Sequence, residues 1–248
     1  MRHIPKIIHY CWFGLGPMGK LEKRCLESWK LYFPDYEIIR WDEDRFDITK
    51  ANMYVKEAYR LKKYAFVSDY VRLVALSDYG GIYFDTDVEV LKSFDVLLEN
   101  EKMVLGRELK DSILTGMVAC MPNFHIINRL INEYKDRKFE LYDEQGKLLS
   151  TVTNPILFTK LLKQHGLEDE DKYQIVNNDI SIYPIEYFCA FDLKNDHRKI
   201  TSSTYTIHHY SSSWLPLKNK IIIKLKRVMV RMLGAKTYEK LKRIKTGR

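Results

Sequence analysis

Apolar and polar positions follow two rhythms along this chain. Residues 4–13 (Ile-Pro-Lys-Ile-Ile-His-Tyr-Cys-Trp-Phe) form a short apolar run, which predicts a buried first strand ended by Gly14-Leu15-Gly16-Pro17. Residues 20–32 then place Leu21, Cys25, Leu26 and Trp29 at helical spacing, and Phe33-Pro34-Asp35 stops that helix. Tyr36–Trp41 reads as a second strand, so the first forty residues predict a right-handed βαβ unit. From Ala51 to Tyr79 the spacing predicts two helical pieces, the second beginning near Tyr64. That second piece is apolar nearly all round, as in a helix buried inside a domain. Gly80 is placed to close it, and Ile82–Asp85 forms the next strand. Further strands are expected at Met103–Arg107, Leu114–Met121, Ile180–Tyr183 and Tyr205–Tyr210, with helices at Phe124–Tyr134 and from Asn154 to about Gln164. Neither an internal repeat nor a low-complexity linker interrupts this order.

Size and composition fit one α/β domain with an appendage. The chain has 248 residues, 46% of them hydrophobic, which is enough for a substantial core. The one composition break lies near Pro216, giving an expected division into a domain at 1–215 and a tail at 216–248. Residues 218–248 carry 12 Lys and Arg against the single acid Glu239, whereas the rest of the chain is close to neutral. The basic character therefore belongs to the tail, which argues against a nucleic-acid surface across the body. Within the tail, Ile221, Ile222, Leu225, Val228, Met229, Met232 and Leu233 form an apolar stripe, with Lys220, Lys224, Arg227 and Arg231 opposite. Such a helix either docks on the body or lies on an anionic membrane leaflet. No stretch has the ~20 apolar residues of a membrane span, and the Pro- and His-containing start lacks a signal-peptide core. A cytoplasmic protein, peripheral on the inner face of the membrane, is expected. Cys11, Cys25, Cys120 and Cys189 have no metal-ligand spacing and read as reduced, packed thiols.

Candidate chemistry concentrates in three places. Gly80-Gly81-Ile82-Tyr83-Phe84-Asp85-Thr86-Asp87 ends an apolar strand in two carboxylates. On an extended backbone Asp85 and Asp87 share a face, a hard-oxygen pair suited to a divalent cation, and Tyr83 alternates with Asp85 on that face. A solvated exit from a strand is the plainer alternative. Asp69 and Arg72 sit i, i+3 on the buried helix, either as an internal ion pair or facing a polar pocket. Trp12 ends the first strand, as core packing or as a platform for a nucleobase. In His208-His209-Tyr210-Ser211-Ser212-Ser213-Trp214, adjacent residues on a strand face opposite ways, so at most one histidine should join a metal site.

Together, Ile4–Trp12, Ser68-Asp69-x-x-Arg72 and Gly80-Gly81-x-Tyr83-x-Asp85-x-Asp87 resemble glycosyltransferase family 32. This group includes initiating yeast mannosyltransferases, bacterial capsule and surface-polysaccharide transferases and, distantly, the glucosyltransferase domain of clostridial toxins. The resemblance covers residues 4–92 and returns at 208–214. It implies a GT-A fold, an α/β architecture with a Rossmann-like mixed sheet flanked by helices. It also implies retaining transfer of a hexose from a UDP- or GDP-sugar, with Mn²⁺ or Mg²⁺, to a glycan or lipid-linked glycan. By similarity, Trp12 stacks on the base, while Asp69 and Arg72 hold donor sugar and phosphate. Tyr83 lines the site, Asp85 contacts ribose and metal, and Asp87 is the main metal ligand. Ser212 and Trp214 reach the diphosphate, and His209 occupies the place of a metal-binding acid. Asn154 falls where relatives contact substrate.

Two other readings compete. Ile82–Val90 also resembles the opening of haloacid-dehalogenase-type phosphatases, without a convincing downstream Lys and acidic pair. The chain could also be a catalytically silent, membrane-bound scaffold on a transferase fold, against which the intact Asp69, Arg72, Asp85 and Asp87 speak.

Overall fold

The computed structural model describes residues 3–139, 152–192 and 197–211, together with helical positions 222, 225 and 228–230. In chain order the elements are β1 (Ile7–Cys11), α1 (Lys20–Tyr32), β2 (Glu37–Trp41), α2 (Met53–Arg60), α3 (Tyr64–Tyr79), β3 (Gly81–Phe84) and β4 (Val88–Val90). They continue as β5 (Met103–Leu109), β6 (Ser112–Cys120), α4 (His125–Glu133), α5 (Asn154–Lys163), β7 (Gln174–Val176) and β8 (Ile180–Tyr183). The last are α6 (Ile185–Phe188), β9 (Phe191–Asp192), β10 (His197–Arg198) and β11 (Thr206–His208). Ser212, Trp214 and most of the basic tail lie outside the described residues.

Seven strands form one sheet in the order β2-β1-β3-β6-β5-β8-β7. The β1 strand pairs parallel with β2 and β3, whereas β6 runs antiparallel between β3 and β5. The sheet is therefore mixed, with the carboxyl ends of β1, β3 and β5 and the start of β6 along one edge. Strand alternation distributes side chains to two cores. Tyr83, Leu105 and Val118 face the core built with α2 to α5. Ile82, Phe84, Val104 and Ala119 face the other, under α1 and α6. Here Trp29 of α1 stacks on Phe84 at 5.2 Å between ring centroids and donates its indole N–H to the Val88 carbonyl at 2.8 Å.

The α3 helix is apolar all round because it is buried: Val67, Val71, Leu73, Ala75 and Leu76 are fully inaccessible. Its junction with β3 needs two glycines. Gly80 and Gly81 have φ of +65° and +96°, and a Cβ at Gly81 would lie 2.4 Å from the Ile7 carbonyl oxygen. His9 locks the same corner. Its Nδ1 accepts from the Trp41 indole at 3.1 Å, so its protonated Nε2 donates to the Gly80 carbonyl at 2.8 Å. Burial holds this imidazole neutral, with a pKa lowered to about 4. All four cysteines are free and buried, as expected.

Candidate active site at the sheet edge

A cleft of about 750 Å³ opens where β1, β3 and β5 end and β6 begins. Asp69 and Arg72 reach it from α3. Buried within one helix, they are an ion pair at 2.9 Å, yet Arg72 also bonds Asp85 at 3.2 Å and donates to the Thr115 carbonyl at 2.6 Å. The guanidinium lies 4.6 Å from the centre of the Tyr83 ring, and the Tyr83 hydroxyl donates to Asp85 at 3.0 Å. Both readings of the pair hold at once: it pins the helix and it lines the cleft. Burial raises the Asp69 carboxyl to about 6, despite its guanidinium partner. Burial works against Arg72 too, but Asp85, Tyr83 and Asp69 hold its pKa above the ordinary arginine value.

The Asp-x-Asp does not lie on an extended strand. After Phe84 the backbone turns through Thr86 and Asp87, closed by the Val88 N–H on the Asp85 carbonyl at 2.9 Å. This turn brings both carboxylates to the cleft in place of strand alternation. Here β11 pairs antiparallel with β4, setting His208 opposite Val88. His208 Nε2 then lies 3.2 Å from Asp87 and 4.0 Å from Asp85. One ligand atom from each of Asp85, Asp87 and His208 lies within 4.8 Å of the other two.

The expectation for His209 is thereby corrected. Its imidazole faces the opposite way, bonding Glu89 at 2.7 Å and lying 3.4 Å from Arg24, so it is His208 that joins Asp85 and Asp87 in the candidate metal cluster. The one-residue difference is a matter of register, since neighbours on a strand point to opposite faces.

Two carboxylates and an imidazole are a suitable donor set for Mn²⁺ or Mg²⁺. The surroundings fit a cation as well. Among the described residues, His208 Nδ1 is buried without a hydrogen-bond partner. Gly116 leaves room at the cluster: a Cβ there would lie 3.1 Å from both Asp85 Oδ2 and His208 Cε1. Burial opposes the Asp87 charge, but His208 and the Ser211 amide, at 2.7 Å, hold its carboxyl well below the usual range. Burial pulls His208 down, but the carboxylates of Asp87, Asp85 and Glu108 together raise its pKa above the ordinary histidine value.

Trp12 lines the cleft half-buried, its indole N–H held by the Gly16 carbonyl at 2.7 Å. The following loop is fixed by Glu43, which accepts from the Gly14 amide at 2.7 Å and the Tyr59 hydroxyl at 2.8 Å. Asn154 is fully buried and committed to protein partners, donating to the Asp69 carbonyl at 2.6 Å and accepting from the Tyr134 hydroxyl at 2.6 Å. It ties α5 to α3 behind the cleft.

Three cleft residues carry no motif that would reveal them in the sequence: Glu108, Thr115 and Gly116. Strand pairing alone brings them here. His208 is visible in the sequence only as half of a histidine pair.

Residues 19–104 match the family model described as the glycosyltransferase sugar-binding region containing the DXD motif. A stretch of 115 residues, 45% of this chain, is 31% identical to Toxin Afp18 of Yersinia ruckeri serotype O1. It spans only 5% of that toxin's length. Among solved structures, the PaToxG glycosyltransferase is similar with a TM-score of 0.50 at 24% identity, over 66% of this chain and 69% of that one. The shared fold is of the GT-A type. The matched region contains Asp69, Arg72, Asp85 and Asp87 and sets the phosphatase alternative aside. Residues 19–104 thus carry a glycosyltransferase-type DXD sugar-binding region, set in a fold that this chain shares with a solved glycosyltransferase.

Proposed function

We propose that the protein moves a hexose from a UDP- or GDP-sugar to a hydroxyl of a glycan or lipid-linked glycan, retaining anomeric configuration. The setting would be surface-polysaccharide synthesis, such as that of a capsule. The observation that carries this reading is the convergence of Asp85, Asp87 and His208 beside Arg72 in a cleft that also holds the Trp12 indole.

Asp85, Asp87 and His208 would hold Mn²⁺ or Mg²⁺, which supplies positive charge against the donor's diphosphate. Arg72 serves the same end with a fixed guanidinium. Among the described residues its Nε and Nη1 donate to the Ser68 and Thr115 carbonyls and its Nη2 faces Asp69 and Asp85, so the second N–H on Nη1 is the one that would meet a substrate oxygen. Trp12 offers an aromatic surface for the base, and Ser212 and Trp214 would reach the diphosphate. Asp69 orients Arg72 and accepts from sugar hydroxyls. Negative charge grows on the leaving phosphate as the glycosidic bond breaks, and removing one such preorganised donor typically costs ~2.7–4 kcal/mol of barrier. Retention follows from front-face attack. The acceptor oxygen bonds the anomeric carbon as the carbon–phosphate oxygen bond breaks. The bonding pair and the acceptor proton both go to the leaving phosphate.

The tail supports a place at the cytoplasmic membrane surface. Ile222, Leu225, Val228 and Met229 are 55%, 59%, 44% and 44% exposed, an apolar side not covered by the body, and the sequence puts basic residues opposite. No helix among the described residues is long and apolar enough to cross a membrane.

A thermal-shift panel of UDP- and GDP-sugars with and without Mn²⁺ tests the donor reading. One donor class should raise the melting temperature of the wild type in a Mn²⁺-dependent way and leave Asp87→Asn unmoved. No shift with any donor would end it.

A further inference from the structure

The β5–β6 hairpin that walls the cleft is irregular at two points. Arg107 pairs with Ile113 and Leu109 with Ser112, so Glu108 is an extra residue with nothing opposite. Similarly, Leu105 pairs with Val118 and Gly106 with Leu114, which leaves Thr115, Gly116 and Met117 unmatched. Bulges re-aim side chains and cluster beside active sites. The second irregularity frees two carbonyls for the site. That of Thr115 receives Arg72, and that of Gly116 receives the Asp85 amide at 2.8 Å. The first turns Glu108 into the cleft alongside Ser112.

Glu108 is held there. It accepts from the Ser112 hydroxyl at 3.5 Å and from the Tyr210 hydroxyl, whose own residue takes the left-handed backbone with φ +49°. An ionised carboxylate has about four acceptor positions, so these two contacts orient it without exhausting it. Glu108 is only half-buried and stands outside the Asp85, Asp87 and His208 cluster.

Its position along the sheet edge gives it a side. The strands run β1, β3, β6, β5, so the order of cleft residues is Trp12, Asp85, Gly116, Glu108. With strands ~4.8 Å apart, Glu108 lies beyond the carboxylate cluster on the side away from the indole. In the donor reading above, on which this inference rests, base and diphosphate occupy the Trp12 and Asp85 positions. The sugar and the incoming nucleophile are left with the Glu108 side.

We propose that Glu108 is the residue that orients the acceptor, taking a hydrogen bond from the attacking hydroxyl. The acceptor group is then a neutral hydroxyl and not a phosphate, which a fourth carboxylate in the cleft, beside Asp69, Asp85 and Asp87, would repel. Glu108 forms no bond to the sugar: it holds the hydroxyl's proton in the bound state, and as the new bond to the anomeric carbon forms that proton passes from the Glu108 side to the leaving phosphate oxygen, so Glu108 ends the step unprotonated.

Water is the simplest acceptor, so hydrolysis of the donor reads the effect on the full chain. Glu108→Gln and Glu108→Ala are compared with wild type using Mn²⁺ and the UDP- and GDP-sugar panel. Both variants should keep the donor-induced thermal shift and a donor KM within about twofold of wild type, while kcat for hydrolysis falls at least about tenfold. Azide, a nucleophile with no proton to be oriented, should speed Glu108→Ala with formation of a glycosyl azide. An unchanged kcat, or loss of donor affinity in both variants, overturns the assignment. So does a wild type that binds donor without ever hydrolysing it. If no donor binds wild type at all, it is the donor reading that fails, and the role of Glu108 falls with it.

Discussion

Gly81 and Gly116 are both crowded, but a methyl group would meet different atoms at each. At Gly81 the obstacle is the Ile7 carbonyl on a backbone with φ +96°, so neither neighbour can yield. Gly81→Ala should cost about 2–4 kcal/mol in a denaturant melt. At Gly116 the obstacles are side-chain atoms of Asp85 and His208, two members of the candidate cation cluster. Gly116→Ala should keep the melting temperature of the metal-free protein and weaken Mn²⁺ binding about 10- to 100-fold by titration. Asp69 separates stability from activity in a different way. Its folded pKa, about 6, lies above the ordinary carboxylate value, so stability from this group is lost as pH rises through that range. At pH 7 its charge is therefore held at a cost, and Asn copies the protonated form while Arg72 keeps Asp85 and Thr115. Asp69→Asn should melt no lower than wild type at pH 7 yet lose donor hydrolysis. A lower melting temperature would show that Arg72 depends on that charge.

Among the elements, the β4–β11 pair decides which histidine faces the cleft. His208→Ala should abolish Mn²⁺-dependent stabilisation. His209→Ala loosens the Glu89 and Arg24 contacts behind the strand and should weaken Mn²⁺ binding less than about tenfold. Equal losses would return His209 to the cation. This distinction was not legible in the sequence, because a three-residue strand has no period long enough to fix its register. Elements with local punctuation were legible: α1 runs from Lys20 to the residue before Phe33-Pro34, and α3 from Tyr64 to the glycine pair, as expected. Strand direction was not, since β6 runs against β3 only through tertiary pairing. The same limit explains the site. Asp69, Arg72, Asp85 and Asp87 lie in short motifs close together in the chain. Glu108 and Thr115 carry no pattern, because bulges between distant strands place them. Strand alternation picks out the right pair of carboxylates, Asp85 and Asp87, but a turn at Thr86–Asp87 is the backbone that aims them.

For the whole molecule, acid should act through His9 at the β1–β2–α3 corner. Its folded pKa of about 4 lies below the ordinary value of 6.5, so between those limits the unfolded chain binds a proton that the fold refuses. Stability therefore falls as pH drops from 6.5 to 4, by about 3 kcal/mol from this residue. Denaturant melts at pH 7 and pH 4.5 should show that loss in wild type and a smaller one in His9→Gln. The tail acts at the same scale. Removing residues 216–248 should abolish sedimentation with anionic liposomes and leave donor hydrolysis in solution intact, because every described cleft residue precedes Pro216.

The amide of Ser211 rests on Asp87, and Ser211 stands a few residues before the basic tail begins. Any rearrangement downstream that withdrew this single N–H would leave the carboxylate with one fewer donor and change its hold on a bound ion. By reciprocity, ion binding would then bias where the tail goes. Catalytic readiness and attachment to a surface would thus share one peptide group.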